Sequence, residues 1–419
     1  MSDIIINGGK RLSGEISVQG AKNSVLPVLA ATLLCGGESV IHNCPGLSDV
    51  ATSVKILKHL GCRCEKENNT ITVDAGEVSG CDIPDKLMRE MRSSVVFLGA
   101  VIGRTGRAVI SSPGGCELGP RPIDLHLSAL ERMGVTIREE HGYLNCTAEN
   151  GLRGAEIHLG FPSVGATENI ILAAATAEGD TVIHNAAKEP EISDLADFLN
   201  RAGARIYGSG SDTINIYGVE HLGGTEHTII PDRIAAATYM ACAAVTGGRI
   251  TLENMMPSHM VSILWSFKEC GCGVVSCGKS VTVTSPERLR RIPTVRSLVY
   301  PGFPTDAGPI AVAMLSVADG TSVFVENIFE NRFRYVDELK RFGAKIKTEG
   351  KTAVIEGVNR LSGAECKATD LRGGAALVIA ALCAEGESRI GEIHHIERGY
   401  DDIVKTLKGV GADINYSRE

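Results

Sequence analysis

At 419 residues, 43% of them hydrophobic and 22% charged, the chain has a globular composition and is too long for one ordinary core, so two domains are expected. A net charge of −8 argues against a general nucleic-acid surface, and any anionic ligand must be met by local groups of Lys and Arg. No stretch is apolar enough to span a bilayer and the first residues lack an export pattern. Thirteen cysteines are therefore expected as reduced thiols in a cytoplasmic protein, with no membrane association.

The first helix predicted along the chain is a small-residue segment over 24–31, with Pro27 placed in its first turn. A strand over 39–42, an amphipathic helix over 49–60 and short strands over 63–65 and 70–73 follow. The succession then recurs. Helices ending in apolar-Gly-small close at Gly61, Gly134, Gly203, Gly271, Gly343 and Gly411, 68 to 73 residues apart. A second series, Gly37, Gly106, Gly179, Gly248, Gly320 and Gly386, closes the Ala-rich helices and interleaves with the first. Glycine at such ends fits a left-handed C-cap. The Ala-rich helices are apolar nearly all round, as buried helices are. Six repeats of strand, helix, strand, helix, strand, strand predict an α/β protein of two three-repeat domains, with the boundary near residue 230.

The register explains several isolated residues. Cys62 and Cys272 occupy the slot that Ala204, Ala344 and Ala412 fill elsewhere, so they are expected in the core. Cys270, Cys272 and Cys277 lack the spacing of a zinc pair, and no metal site is expected. His42 and His184 fall on strands as packing or surface residues, and Trp265 is expected to pack from its helix.

Charge also follows the register. Fourteen or fifteen residues before the second glycine series stand Lys22, Arg92, Gly165, Arg233, Asp306 and Arg372. Helix N-termini attract anions, and cations placed there build phosphate and carboxylate sites. Asp306 is the negative member and a candidate base. Arg121, Arg332 and Arg398 recur near the starts of the second helices, supplying the clamps that a phosphate and a carboxylate require. The second repeat is longer than the others between its marker glycines. Its extra length falls in residues 111–122, a Gly/Pro-rich stretch with Cys116 near Arg121, expected to be a mobile lid carrying an activated thiol.

These motifs together resemble the enolpyruvyl transferase family, and within it the enzymes that act on UDP-N-acetylglucosamine. The resemblance covers essentially the whole chain. It is carried by Lys22-Asn23-Ser24, Met91-Arg92-Ser93-Ser94, Pro113-Gly114-Gly115-Cys116, the run from Arg121 to His126, Ser163-Val164-Gly165-Ala166-Thr167-Glu168-Asn169, Pro231-Asp232-Arg233, the run from Tyr300 to Asp306, Glu330-Asn331-Arg332, Asp370-Leu371-Arg372 and Glu397-Arg398-Gly399. It implies a pair of inside-out α/β barrels of three βαβαββ units each. Residues 22–230 would form one domain, residues 1–21 with 231–419 the other, and the active site would lie in the cleft between them.

The resemblance also implies roles. Lys22, Asn23, Arg121 and Arg398 would hold phosphoenolpyruvate through its phosphate, and Arg332 and Arg372 would face its carboxylate. Arg92, Arg121, Pro122, Ile123, Asp124, Leu125, Ser163, Val164, Gly165, Asp306 and Ile328 would hold the sugar nucleotide. Asp306 would act as base at the sugar 3-hydroxyl. Cys116 would protonate the methylene carbon, form a covalent adduct with phosphoenolpyruvate and be the target of fosfomycin. No metal or cofactor is implied, and the setting would be cell-wall precursor synthesis. Shikimate 3-phosphate enzymes share the fold but lack the Pro-Gly-Gly-Cys lid. A non-catalytic sugar-nucleotide binder would show erosion of Lys22, Cys116, Asp306 or Arg398. The chain departs from its relatives at Phe161, Pro120 and Ala307-Gly308-Pro309.

Overall fold

The computed structural model describes residues 3–91, 93–111 and 123–417. The described chain forms two compact units, residues 20–230 and residues 3–19 with 231–417. Each contains three four-stranded mixed sheets and three buried helices. In the first unit the Phe97–Thr105 helix packs against the Lys22–Thr32 and Val164–Ala174 helices. In the second, Arg233–Val245, Gly308–Leu315 and Leu371–Cys383 pack on one another. These segments are almost entirely buried, as their Ala, Val, Leu and Ile content requires: a helix apolar on every face loses hydrophobic stabilisation wherever it meets water. The helices lie inside and the sheets stay separate, with no hydrogen-bonded closure into a strand barrel among the described residues.

Within a repeat, the strand before the buried helix pairs in parallel with the strand after it. A hairpin then adds two antiparallel strands, as in Glu156–His158, Asp180–His184, Thr213–Tyr217 and Arg205–Tyr207. Two repeats depart from this pattern. Ser13–Ser17 pairs with Arg249–Glu253, and Glu226–Thr228 pairs with Glu38–His42. The chain passes from one unit to the other just after each of these strands, at residues 19–20 and 230–231, so the partners are exchanged. The sixth repeat is completed by the N-terminus: Ile4–Asn7 lies between Glu387–Gly391 and Asp413–Tyr416 as the missing hairpin strand.

All six glycines of the first series have positive φ, so each needs glycine's freedom at its helix end. In the second series Gly106, Gly179, Gly320 and Gly386 do, but Gly37 does not, and Gly247 takes the left-handed position instead of Gly248. Pro27 is a correction. The helix begins at Lys22, so Pro27 is its sixth residue, and the turn that the apolar pattern missed is made by polar Lys22 and Asn23. Trp265 is another. It is 64% exposed on the Val261–Glu269 helix, whose buried side is Ile263, Leu264 and Phe267, and Lys268 Nζ lies 5.2 Å from its ring centroid. Cys62, Cys270 and Cys272 are buried while Cys277 is exposed. Burial pushes the Cys62 and Cys272 thiols up to about 12. His42 and His184 end their strands, each bound to a glutamate on the parallel neighbour, Glu226 and Glu156.

Candidate active site

The register of charges coincides with helix entrances. Lys22 and Arg233 are the first residues of their helices, and Gly165 and Arg372 the second. Asp306 sits in the Thr305–Ala307 turn that leads into the Gly308–Leu315 helix. Glycine at 308 has a steric reason, since a Cβ there would come within 2.8 Å of the Phe324 ring. Asp232 and Asp370 cap the entrances beside Arg233 and Arg372, each accepting two backbone N–H groups.

In the unit containing the C-terminal repeats, three expected residues meet. Arg332 Nη2 donates to Asp306 Oδ1 at 3.0 Å, and Arg372 Nε and Nη2 reach Oδ2 at 3.4 Å. Both arginine side chains are 3% exposed, while Asp306 is 30% exposed, so the carboxylate is the accessible face of the cluster. Burial works against the Arg372 charge, but Tyr400, Asp306 and Asp232 together hold it more firmly protonated than usual. Arg372 Nη1 donates to the Tyr400 hydroxyl at 3.3 Å, which in turn shares a 2.8 Å bond with Thr238. Arg398 ends the short His394–Glu397 helix. The following Gly399 lies so close to Leu371 that a Cβ would meet it at 2.5 Å, which brings the Arg398 segment beside the entrance bearing Arg372. Gln19 fastens this turn through Gly399 O and the Asp401 N–H. Ile328 lies on the loop between Asp306 and Arg332 in sequence, and its N–H is committed to Glu326.

In the other unit Lys22 is buried and paired with buried Asp49 at 2.7 Å. A buried ammonium without such a partner would be strongly penalised. Asp49 was missed by the sequence reading, although its position in the first turn of its helix was available as a signal. Asn23 is exposed. Ser24 donates to Asp194, which also pairs with His227 Nε2 at 3.0 Å and so holds the start of the Lys22 helix.

The expected sugar-nucleotide residues of this unit also converge. Asp124 opens its helix, flanked by Ile123 and Leu125, and Ser163, Val164 and Gly165 open another. Ser163 caps its helix by accepting from Ala166 N at 3.3 Å. His126 joins the two entrances. Its Nδ1 lies 2.9 Å from Asn169 Nδ2, and its ring fills the space a Cβ at Gly165 would need. Burial lowers the His126 pKa to about 4, with Asp124 opposing, so the ring is neutral at pH 7. Glu168, buried beside Glu191 and Glu189, is pushed well above the usual carboxylate range, first by burial. Arg92, Cys116, Arg121 and Pro122 lie outside the described residues, as do Pro120 and the Pro113-Gly114-Gly115 motif.

Two units of buried helices enclosed by mixed sheets, with cationic side chains at helix entrances, define the class. The pattern of EPSP synthase (3-phosphoshikimate 1-carboxyvinyltransferase) matches residues 6–407, and the chain belongs to that enolpyruvyl transferase family. Among curated relatives, it is 53% identical over 99% of both chains to UDP-N-acetylglucosamine 1-carboxyvinyltransferase 2 of Caldanaerobacter subterraneus subsp. tengcongensis. It is 50% identical to UDP-N-acetylglucosamine 1-carboxyvinyltransferase 1 of Symbiobacterium thermophilum, over 98% of this chain and 94% of that one. Among solved structures, the enolpyruvyl transferase NikO from Streptomyces tendae matches with a TM-score of 0.89 and 25% identity over 99% of both chains. EPSP synthase from Acinetobacter baumannii shares the fold, with a TM-score of 0.77 and 18% identity over the full length of both.

Proposed function

We propose that the protein transfers the enolpyruvyl group of phosphoenolpyruvate to the 3-hydroxyl of UDP-N-acetylglucosamine with release of phosphate, in the cytoplasm, as a step toward peptidoglycan. The observation that carries the reading is the pair of buried guanidiniums, Arg332 and Arg372, converging on a partly exposed carboxylate. Two fixed cations at one accessible point suit a second carboxylate, that of phosphoenolpyruvate. As it binds, it competes with Asp306 for the arginines and leaves Asp306 a stronger base for the sugar hydroxyl.

The sugar oxygen then adds to C2 of phosphoenolpyruvate while C3 takes a proton, for which Cys116 is the proposed donor. In the resulting tetrahedral phospho-ketal, loss of a C3 proton and cleavage of the bond from C2 to the phosphate oxygen form the enol ether and free phosphate. Lys22, Asn23, Arg121 and Arg398 are the proposed phosphate ligands, which stabilise the charge that develops on the leaving group. Ile123, Asp124, Leu125, Ser163, Val164 and Gly165, with Arg92, Pro122 and Ile328, are proposed for the sugar nucleotide. Two helix entrances locked together through a neutral histidine suit the uncharged part of that ligand, which must be oriented rather than neutralised.

The deciding experiment measures phosphate release from phosphoenolpyruvate with either UDP-N-acetylglucosamine or shikimate 3-phosphate. Turnover only with the sugar nucleotide is expected. Turnover with shikimate 3-phosphate instead would assign the sister activity, and binding without phosphate release would assign a non-catalytic role.

A further inference from the structure

The repeats provide an internal standard for recognising a specialised residue. Six positions after each second-series glycine stand Asn43, Asn185, Asn254, Glu326 and Glu392 in the described repeats. Asn43, Asn185, Asn254 and Glu392 have positive φ, and Glu326 does not. The three asparagines do one job: Nδ2 donates to the carbonyl just past the neighbouring parallel strand, Ile229, Leu159 and Val18, at 2.7–2.8 Å. In the fifth repeat Asn327 does this job, donating to Ser297 O at 3.0 Å. The tie between strand ends has moved one residue along, and the slot it vacates holds Glu326.

Glu326 is fully buried and well bonded. Oε1 accepts from Ser297 Oγ at 2.8 Å, Ile328 N at 2.8 Å and Phe329 N at 3.1 Å, and Oε2 accepts from Thr305 Oγ1 at 2.8 Å. Thr305 precedes Asp306. The Phe329 ring lies 5.6 Å from the Arg332 guanidinium carbon. One carboxylate therefore grips both segments that carry the Asp306–Arg332 ion pair. Burying a carboxylate is costly, and a neutral asparagine suffices to tie the strand ends in three other repeats. Glu392, the carboxylate in the sixth repeat's slot, is partly exposed, so the buried carboxylate occurs where the candidate base is.

We propose that Glu326 is a positioning residue of the active site, fixing Asp306 through Thr305 and the 328–332 loop through its backbone N–H groups. This rests on the role assigned above to Asp306. The test compares the full-length protein with Glu326→Gln, Thr305→Val and Thr305→Ser. Phosphate release, its pH profile and thermal unfolding are measured for each. Glu326→Gln and Thr305→Val should lower kcat about tenfold or more, because small displacements of a reacting group are costly, with KM for the sugar nucleotide within about threefold of the parent. Thr305→Ser should restore turnover. In Glu326→Gln the acid limb of kcat should move to lower pH, because Asp306 loses a negative neighbour.

A residue that only staples the fold would lower the unfolding temperature while leaving kcat per folded molecule and the acid limb in place, and that result overturns the proposal. If the parent itself releases no phosphate, the proposed function fails, and amide exchange then decides the inference separately. The Ile328 and Phe329 amides should exchange about tenfold faster in Glu326→Gln, since a charged acceptor has been replaced by a neutral one. Unchanged protection overturns it.

Discussion

The corner around Asp306 and the corner around His126 are built from different materials. At Asp306 the polar groups are ions: two buried arginines, a carboxylate between them, and a buried glutamate behind. At His126 the buried groups are neutral, an imidazole kept unprotonated by burial and the Asn169 amide between two helix entrances with their own backbone N–H groups, and Asp124 at one entrance is exposed. Ionic corners neutralise ligand charge and are sensitive to the loss of any one partner, because the remaining charges stay buried. Neutral corners orient a ligand and depend more on shape. Mutations in the two corners should therefore fail in different ways.

The largest effect is expected from Asp306→Asn. Turnover should fall by ~10²–10⁴, as for loss of a general base, while calorimetric affinity for the sugar nucleotide stays near the parent value. Near-normal turnover would remove Asp306 from that role. Next is Arg332→Lys, which keeps charge but loses the fork. KM for phosphoenolpyruvate should rise about 10- to 100-fold, the worth of a charge-assisted hydrogen bond, with little change in KM for the sugar nucleotide. An equal rise in both would show that the ionic corner has no preference for the donor.

The neutral corner should reveal itself through acid. His126 titrates near 4 when folded and near its ordinary 6.5 when unfolded. The unfolded chain therefore binds the proton first as pH falls. Stability from keeping the ring neutral is fully present above 6.5 and is lost between 6.5 and 4, about 3 kcal/mol in all. Urea unfolding of the parent at pH 7 and pH 5 should show part of that loss, and His126→Gln should flatten it. A parent and variant with equal pH dependence would contradict the burial argument. Trp265→Ser, away from both corners on an exposed face, should change stability by no more than about 0.5 kcal/mol. A larger loss would mean that the outward face of its helix supports the core after all.

Much of this architecture was legible along the chain because repetition is a one-dimensional property. The six glycines, the apolar helices and the charges at their entrances lie at fixed spacings, and local rules of capping and periodicity act on spacings. Asp306, Arg332, Arg372 and Arg398 could be chosen for that reason. What the chain order could not decide was pairing. The exchange of Ser13–Ser17 and Glu226–Thr228 between repeats, and the completion of the last sheet by Ile4–Asn7, depend on hydrogen bonds between residues some two hundred to four hundred positions apart. The same holds for charge. Asp49 beneath Lys22, His126 against Gly165, and Glu326 behind Thr305 are ordinary polar residues in sequence, and only burial beside a specific partner gives each its part. Trp265 shows the converse, an apolar side chain left outside because the face of its helix that meets the core was already filled by Ile263, Leu264 and Phe267. Local pattern determined the repeating elements, whereas solvation and long-range contact decided which strands join and which charges share a site.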